Sequence, residues 1–452
     1  MKRNTGRYYF GASWHVTDAK TKNSEPQQKN VVCPPTYSFD IAFIKSYSQF
    51  KKHEGAGKMI RKYIFWVCFL PVSVFCCNLG PPARAGESRR LTADAVRYIE
   101  SFVEKQMDKN LIPGVGVGLV EGNEIVLAKG YGVKSVDTHE RVDPDTLFHI
   151  GSVNKSFTSM LAACLVDARV IDWDSTIHEM CPVWQLKDEA LKFVTVFELL
   201  SMTSGILADD EDDFWDDFGD NAVPMNIASF FTGFKLSKSP GEKFSYSNLA
   251  VSLGGYLFVY VAARIDKPLN EGYSDLLRQY VLVPMGMNDS TVFISEARAY
   301  GNMAAPHKKI QNRVVLAGSE DRDDDPLAPS GSIKSSANDM NKFLMTQLRE
   351  GVAPDGTRVV SSKNLTKTWT PTRLSLEERY GMGWESRTVD GTRVVSHEGV
   401  YDNFTSIVIL LPEKNVGMVI LANTEYVGSL LSQAHKILIK AVDKFTHAIH
   451  RF

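Results

Sequence analysis

Three short stretches of this 452-residue chain combine residue types and spacings that can do chemistry. The first is Gly151-Ser152-Val153-Asn154-Lys155. A serine hydroxyl is a weak nucleophile until a neighbouring base takes its proton. Phe157, Met160, Leu161, Cys164 and Leu165 follow at i, i+3, i+4, i+7 and i+8, the recurrence of an amphipathic helix. Ser152 then stands at the helix N-terminus, with Lys155 one turn on and on the same face. Lys155 can take the serine proton or hold the field that lets another base do so. The N–H groups and dipole of the helix start favour developing negative charge.

The second stretch is Pro240-Gly-Glu-Lys-Phe-Ser-Tyr246-Ser-Asn248. From an extended or turn backbone Tyr246 and Asn248, two apart, can point into one cleft. A tyrosine beside lysine ammoniums can have its pKa lowered enough to act as a general base. Asn248 offers a donor and an acceptor to an acyl substituent. The third stretch is Ser396-His397-Glu398-Gly399-Val400, at the end of a predicted strand. There His397 and Gly399 face one side. His397 can orient substrate or relay a proton, Gly399 lets substrate approach the backbone, and the Val400 N–H can join that of Ser152 as an oxyanion donor. Similar fragments occur by chance, as in Ser48-x-x-Lys51, His53-Glu54-Gly55 and Tyr401-Asp402-Asn403. Order and local context separate Ser152, Tyr246 and His397 from these.

The elements that must position these residues follow from periodicity. Leu91 to Met107 suits a helix. Val115–Val120 and Ile125–Lys129 read as strands joined at Glu121-Gly122-Asn123-Glu124, a hairpin signal. Thr392–Ser396, Phe404–Leu411 and Val416–Ala422 are further strands, and an amphipathic helix begins near Val427. The predicted fold class is α+β, an α/β sandwich. Strands from both chain ends form one antiparallel sheet flanked by helices, with a mostly helical region, about 155–315, inserted between them. Gly114-Val-Gly-Val-Gly118 resembles part of a dinucleotide fingerprint, but it lies inside a strand with no helix after it, so no cofactor is expected. Asp209–Asp220, with eight acidic residues around Phe214, Trp215 and Phe218, and Glu320–Asp325 have loop composition. The longer stretch reads as a solvated loop with an aromatic anchor, or as a cleft-side loop that selects cationic substrates or binds Ca²⁺ weakly. It lacks the pattern of a dedicated calcium loop.

The quoted motifs, in their order, resemble the Ser-x-x-Lys, Tyr-x-Asn and Lys/His-x-Gly elements of the class C β-lactamase/D-Ala-D-Ala carboxypeptidase-type serine hydrolases. That family also holds esterases and D-amino-acid amidases. Leu199-Leu-Ser-Met-Thr-Ser-Gly205, Pro284-Met-Gly-Met287, Gly331-Ser-Ile-Lys-Ser-Ser336 and Tyr380-Gly-Met-Gly-Trp384 add to the likeness, which runs from about residue 92 to 430. It implies a β-lactamase/transpeptidase-like fold and metal-independent acyl transfer. By resemblance Ser152 is the acylated nucleophile, Lys155 its proton partner and Tyr246 the main general base, a division of labour that is disputed in related enzymes. His397 replaces the lysine of true β-lactamases, which places the chain nearer the peptidase, esterase and amidase members. Glu398 and Val400-Tyr-Asp-Asn403 replace the usual small residues. Their bulk, and the charge of Glu398, are expected to narrow the acyl site and disfavour carboxylated substrates such as penicillins.

Composition sets the compartment and the partners. The chain is 44% hydrophobic and 23% charged, as packed globular proteins are. Residues 1–85 hold 13 Lys+Arg against 4 Asp+Glu, leaving 38 basic and 49 acidic residues in the body. An acidic body argues against nucleic acid or anionic membrane as a partner; the resemblance implies a small molecule or peptide as substrate. Lys58-Met-Ile-Arg-Lys62, the apolar run Tyr63–Cys77 and Ala83-Arg-Ala85-Gly86 read as a signal peptide cleaved after Ala85. The run is short for a membrane span and Pro71 interrupts it. The expected organisation is a basic upstream extension at 1–58, with translation from Met59, a signal peptide at 59–85 and a hydrolase domain at 86–452. The competing reading keeps 1–58 as a cytosolic tail on a signal anchor. Either way the body leaves the cytosol.

Cys164 and Cys181, the two cysteines of the body, can form one disulfide, or Cys164 can be a small apolar core residue. No zinc-site spacing occurs and no metal is expected. Asn288, Asn364 and Asn403 begin glycosylation sequons, while Asn154-Lys-Ser falls inside the catalytic motif and should be buried. Two function classes remain: a secreted acyl hydrolase, and an extracellular matrix or binding protein that keeps the hydrolase fold.

Overall fold

The strands predicted near the two ends of the chain pair with one another. The computed structural model describes residues 91–446 apart from 220–221, 263–265, 320 and 376–378. The expected extension and signal peptide lie outside the described residues. In chain order the strands are β1 (Gly114–Glu121), β2 (Glu124–Gly132), β3 (Phe148–His149), β4 (His307–Ile310), β5 (Arg313–Leu316), β6 (Lys334–Ser335), β7 (Glu385–Val389), β8 (Thr392–Tyr401), β9 (Phe404–Leu411) and β10 (Val416–Ala422). Six form one sheet in the order β2-β1-β10-β9-β8-β7, every pair antiparallel. The first and last strands of the set pair with each other inside it, with Val117 opposite Ile420. β3 pairs with β6 and β4 with β5 as separate two-stranded units.

Side-chain alternation gives this sheet two faces. On one, Val117, Ile407, Ile409 and Ile420 bury against helix α1 (Ala93–Asn110) and the closing helix α5 (Leu430–Thr446), through Ile99, Val103, Leu438 and Ile439. Fully burying each such side chain contributes about 1.5–3 kcal/mol. On the other face Val395, Val408 and Val419 join a larger core built from the inserted helical region. This is the predicted α+β architecture. Thr92 caps α1, its hydroxyl accepting the Ala95 N–H.

Three local readings change. The helix that follows Ser152, α2 (Asn154–Asp167), is not amphipathic: every residue from Asn154 to Leu165 is buried. Its polar residues are satisfied internally, as where Asn154 Nδ2 donates to Pro329 O (2.9 Å) and Ser156 Oγ to Val153 O (2.7 Å). The acidic stretch is a helix, α3 (Asp210–Phe218), rather than a loop. Four carboxylates in its first turn complement the helix dipole, and Phe214 is the buried aromatic anchor, packed edge-on against Phe230. Finally, Cys164 and Cys181 are both free and buried, so no disulfide joins them. The Cys164 thiol instead donates to the carbonyls of Val359 and Tyr280.

Candidate active site

Ser152 sits in a 3₁₀ turn, Gly151–Val153, that runs directly into α2. Gly151 has φ +51°, a left-handed conformation that suits glycine. The turn is held on three sides. Ile150 N donates to Ile333 O (3.0 Å), Ser406 Oγ of β9 donates to Ile150 O (2.7 Å), and β8 presses against it. A Cβ on Gly399 would lie 2.0 Å from Ile150 O, so glycine is what lets β8 come so close. A Cβ on Gly151 would lie 2.7 Å from Val400 N, which brings the Val400 amide alongside the Ser152 turn.

Lys155 is wholly buried, its Nζ 2.9 Å from Ser152 Oγ and 2.9 Å from Ser330 O. Burial draws its pKa down to about 7, while the Glu211 carboxylate pulls the other way. Tyr246 hydrogen-bonds with Ser152, and Lys155 Nζ lies 5.0 Å from the centre of its ring. The expected lowering of the Tyr246 pKa is not what its surroundings produce. Burial of the hydroxyl pushes it above the ordinary phenol range, the Ser152 bond works against this, and Glu211 and Glu385 push it further up. A deprotonated Tyr246 is therefore disfavoured, and the group poised to take a proton near neutrality is Lys155.

His397 is buried and faces the same cluster, its Nε2 3.1 Å from the Tyr380 hydroxyl and its Nδ1 2.6 Å from Glu398 O. Because Glu398 O can only accept, Nδ1 carries the proton and Nε2 accepts from Tyr380. Burial, then the Lys155 charge, takes the imidazole pKa down to about 3. His397 is thus neutral across the working pH range, with its Nε2 held by the Tyr380 hydroxyl. Asn248 is the first residue of helix α4 (Asn248–Val261) rather than part of an extended run, and its Nδ2 donates to Glu211 Oε2 (3.0 Å).

Glu398 does not face the acyl site as expected. Its cross-strand partner Ile407 and its neighbour Ser396 belong to the α1/α5 side of the sheet, where Ser396 Oγ meets His435 Nε2 of α5 (3.0 Å). The pleat therefore sends the Glu398 carboxylate to the face opposite His397, where it feels Glu385 and Arg387. Tyr401 stays on the site side, stacked on His149 with centroids 4.0 Å apart. Among the described residues no group of His, Cys, Asp or Glu is arranged to hold a metal ion, and no helix is long and apolar enough to cross a membrane.

The structure thus brings together Ser152, Lys155, Tyr246, His397, Gly399 and Val400, with Asn248 reached through Glu211. Sequence reasoning missed Tyr380 and Glu211 as members of the site. Tyr380 lay in a motif read only as a family hallmark, and nothing in the acidic stretch marks Glu211 out from its neighbours. Of the sequons, Asn288 is exposed and Asn403 half-buried in the β8–β9 turn. Asn364 is held at both ends of its amide, accepting from Trp173 Nε1 (2.9 Å) and donating to Asp167 (2.6 Å). Asn154 is buried.

A buried lysine one helical turn after a serine in a glycine-supported turn defines a serine hydrolase of the Ser-x-x-Lys type. The Beta-lactamase family model matches residues 99–441, and the chain belongs to that family. It is similar to Protein flp of Staphylococcus aureus (strain MW2), 26% identical over 356 residues, which cover 77% of this chain and 68% of the relative. It is also similar to the unguisins hydrolase ungD' of Aspergillus campestris (strain IBT 28561), 25% identical over 361 residues, or 76% of this chain and 64% of that one. The octameric penicillin-binding protein homologue from Pyrococcus abyssi shares the fold, with a TM-score of 0.64 at 24% identity over 76% of this chain and 77% of that one.

If neutral Lys155 is the base, acylation of Ser152 rises with pH through a midpoint near 7 and is flat above it. Glu211→Gln removes the charge that raises the lysine pKa, so the midpoint moves to lower pH. Stopped-flow acylation between pH 5 and 10 checks both. A limb rising only above pH 9 would assign the base to Tyr246 instead.

Proposed function

We propose that the chain is a secreted hydrolase that transfers the acyl group of a small peptide, amide or ester to Ser152 and then to water. The observation that carries this reading is the buried Lys155 amine, 2.9 Å from Ser152 Oγ, with its pKa drawn down to about 7. In the neutral amine one N–H serves the Ser330 carbonyl and the lone pair faces the serine hydroxyl. As Oγ bonds to the substrate carbonyl carbon, the serine proton passes to Lys155 and the carbonyl electrons become an oxyanion. The Ser152 and Val400 amides are assigned to that oxyanion.

Collapse breaks the bond to the leaving group. The leaving group takes the proton back from the Lys155 ammonium, directly or through the neutral Tyr246 hydroxyl. Water then repeats the attack with Lys155 as base, releasing the acid and restoring Ser152. His397 holds Tyr380 in place beside the reacting atoms. Asn248, tied to Glu211, borders the acyl side, and Gly399 admits substrate to the β8 backbone.

The acyl site favours neutral or cationic substrates over carboxylates. A neutral His397 supplies no fixed positive charge to a penicillin carboxylate, and Glu211 lies close enough to act on both Lys155 and Tyr246. Secretion is supported by the Lys58–Gly86 pattern, and hydrolysis by the name of the Aspergillus relative.

Intact-protein mass after treatment with a fluorophosphonate is expected to show one adduct that Ser152→Ala abolishes. A penicillin should label the same serine far more slowly. No adduct with either probe on folded protein would turn the reading to a binding or matrix protein. Expressed in eukaryotic cells, the protein in the medium should begin at Gly86 and carry glycan at Asn288 and none at Asn154. Retention in the cells with residues 1–58 attached would overturn the secretion proposal.

A further inference from the structure

Behind the nucleophile turn lies a second set of buried polar groups that the chemistry above does not use. β3 and β6 place His149 directly opposite Lys334. Lys334 is wholly buried, and its Nζ donates to Asp321 Oδ1 (3.0 Å) and to Val292 O (3.0 Å), with Asp321 Oδ2 2.8 Å away. Asp321 also faces His149, with Oδ2 3.6 Å from Nε2. On its other side His149 Nδ1 lies 3.2 Å from Gly151 N, the amide that precedes the nucleophile. Since a backbone N–H can only donate, Nδ1 is the acceptor, and the neutral ring carries its proton on Nε2, toward the carboxylate.

The Tyr401 ring lies flat on this imidazole, and the Tyr401 hydroxyl donates to Asp325 Oδ2 (3.0 Å), which also accepts from Ser332 Oγ (2.6 Å). One chain of contacts therefore runs from the Lys334–Asp321 ion pair through His149 to Gly151. A second joins His149 to the end of β8, next to Val400.

We infer that His149 and Asp321 are positioning residues for the acyl transfer, holding the Ile150–Gly151 peptide and so the backbone from which the Ser152 amide is set. The reason is geometric. Gly151 has a left-handed φ and glycine's freedom to leave it, and the Ile150–Gly151 peptide that sets this φ is held at both ends, by Ser406 Oγ on Ile150 O and by His149 Nδ1 on Gly151 N. The Gly151 N–H makes Nδ1 the acceptor, and the Asp321 carboxylate, 3.6 Å from Nε2 and not hydrogen-bonded to it, favours the ring proton on that side by its charge alone. Lys334 in turn neutralises Asp321, so that a carboxylate can stay buried beside a neutral imidazole. Burial, with the nearby Lys334 charge, keeps the His149 pKa well below its usual value, in keeping with a neutral ring that offers an acceptor.

This inference rests on the proposed Ser152 chemistry, and the experiment separates the two. His149→Asn keeps an oxygen where Nδ1 stands, whereas His149→Gln keeps reach toward Asp321 but loses the acceptor. Both remove the ring that stacks on Tyr401. For hydrolysis of a p-nitrophenyl ester, His149→Gln is expected to lose about a hundredfold in kcat with KM and the pH midpoint unchanged. His149→Asn should recover most of that loss. Equal losses in both variants, or a folded His149→Gln with wild-type kcat, would overturn the inference. Should His149→Gln not fold, long-range ¹H–¹⁵N spectra of the wild type decide. They should show His149 as the neutral Nε2–H tautomer from pH 5 to 9, and an Nδ1–H tautomer or an imidazolium would refute it. Wild-type protein with no fluorophosphonate adduct would sink the hydrolase reading itself, whatever the tautomer.

Discussion

Taking a lysine amine out of water disfavours its charged form unless a carboxylate accompanies it. Lys155 has a hydroxyl and a carbonyl for company, and its pKa falls to about 7. Much of the surrounding structure can be read as what keeps that amine dry and aimed. α2 is buried over almost its whole length, so Lys155 cannot turn outward to solvent. β8 closes on the nucleophile turn through Gly399, and the Ser330 carbonyl takes one of the lysine N–H groups. The same enclosure keeps Tyr246 a neutral phenol and His397 a neutral imidazole, so of these three groups only Lys155 titrates near neutrality.

The second buried lysine makes an instructive contrast. Lys334 is as inaccessible as Lys155 and burial lowers its pKa too, but it sits on the Asp321 carboxylate, which works against that shift. A buried pair of that kind adds little net stability over an apolar substitute, but breaking it by removing one partner typically costs about 3–5 kcal/mol. One lysine thus faces a serine hydroxyl and the other an acidic side chain. Only two residues, Val153 and Asn154, separate Lys155 from Ser152, whereas Lys334 reaches the turn from the opposite side through Asp321 and His149.

Much of this was legible beforehand. β1, β9 and β10 fall where apolar runs between turn residues predicted them, because burial on both faces leaves a strong local signal. The three motifs converge as their order implied. What escaped the sequence depends on packing. α3 has no apolar periodicity beyond its aromatic anchor, and its helix is favoured by carboxylates in the first turn, which in a composition count look like a solvated loop. The direction of the Tyr246 shift depends on enclosure by elements far apart in the chain. The face taken by Glu398 was within reach, since the alternation that pairs His397 with Gly399 sends Glu398 the other way. The buried roles of Asp321 and Lys334 were not, because their partners lie on separate elements.

The central claim is that Ser152 is activated by a lysine that is largely uncharged above neutral pH. The most direct test is to titrate Lys155 itself, following its ¹³Cε and ¹⁵Nζ resonances in selectively labelled protein, with Lys155→Arg used for assignment. The account predicts a single transition with a midpoint near pH 7. A midpoint above pH 10, with the amine charged throughout the working range, would contradict it.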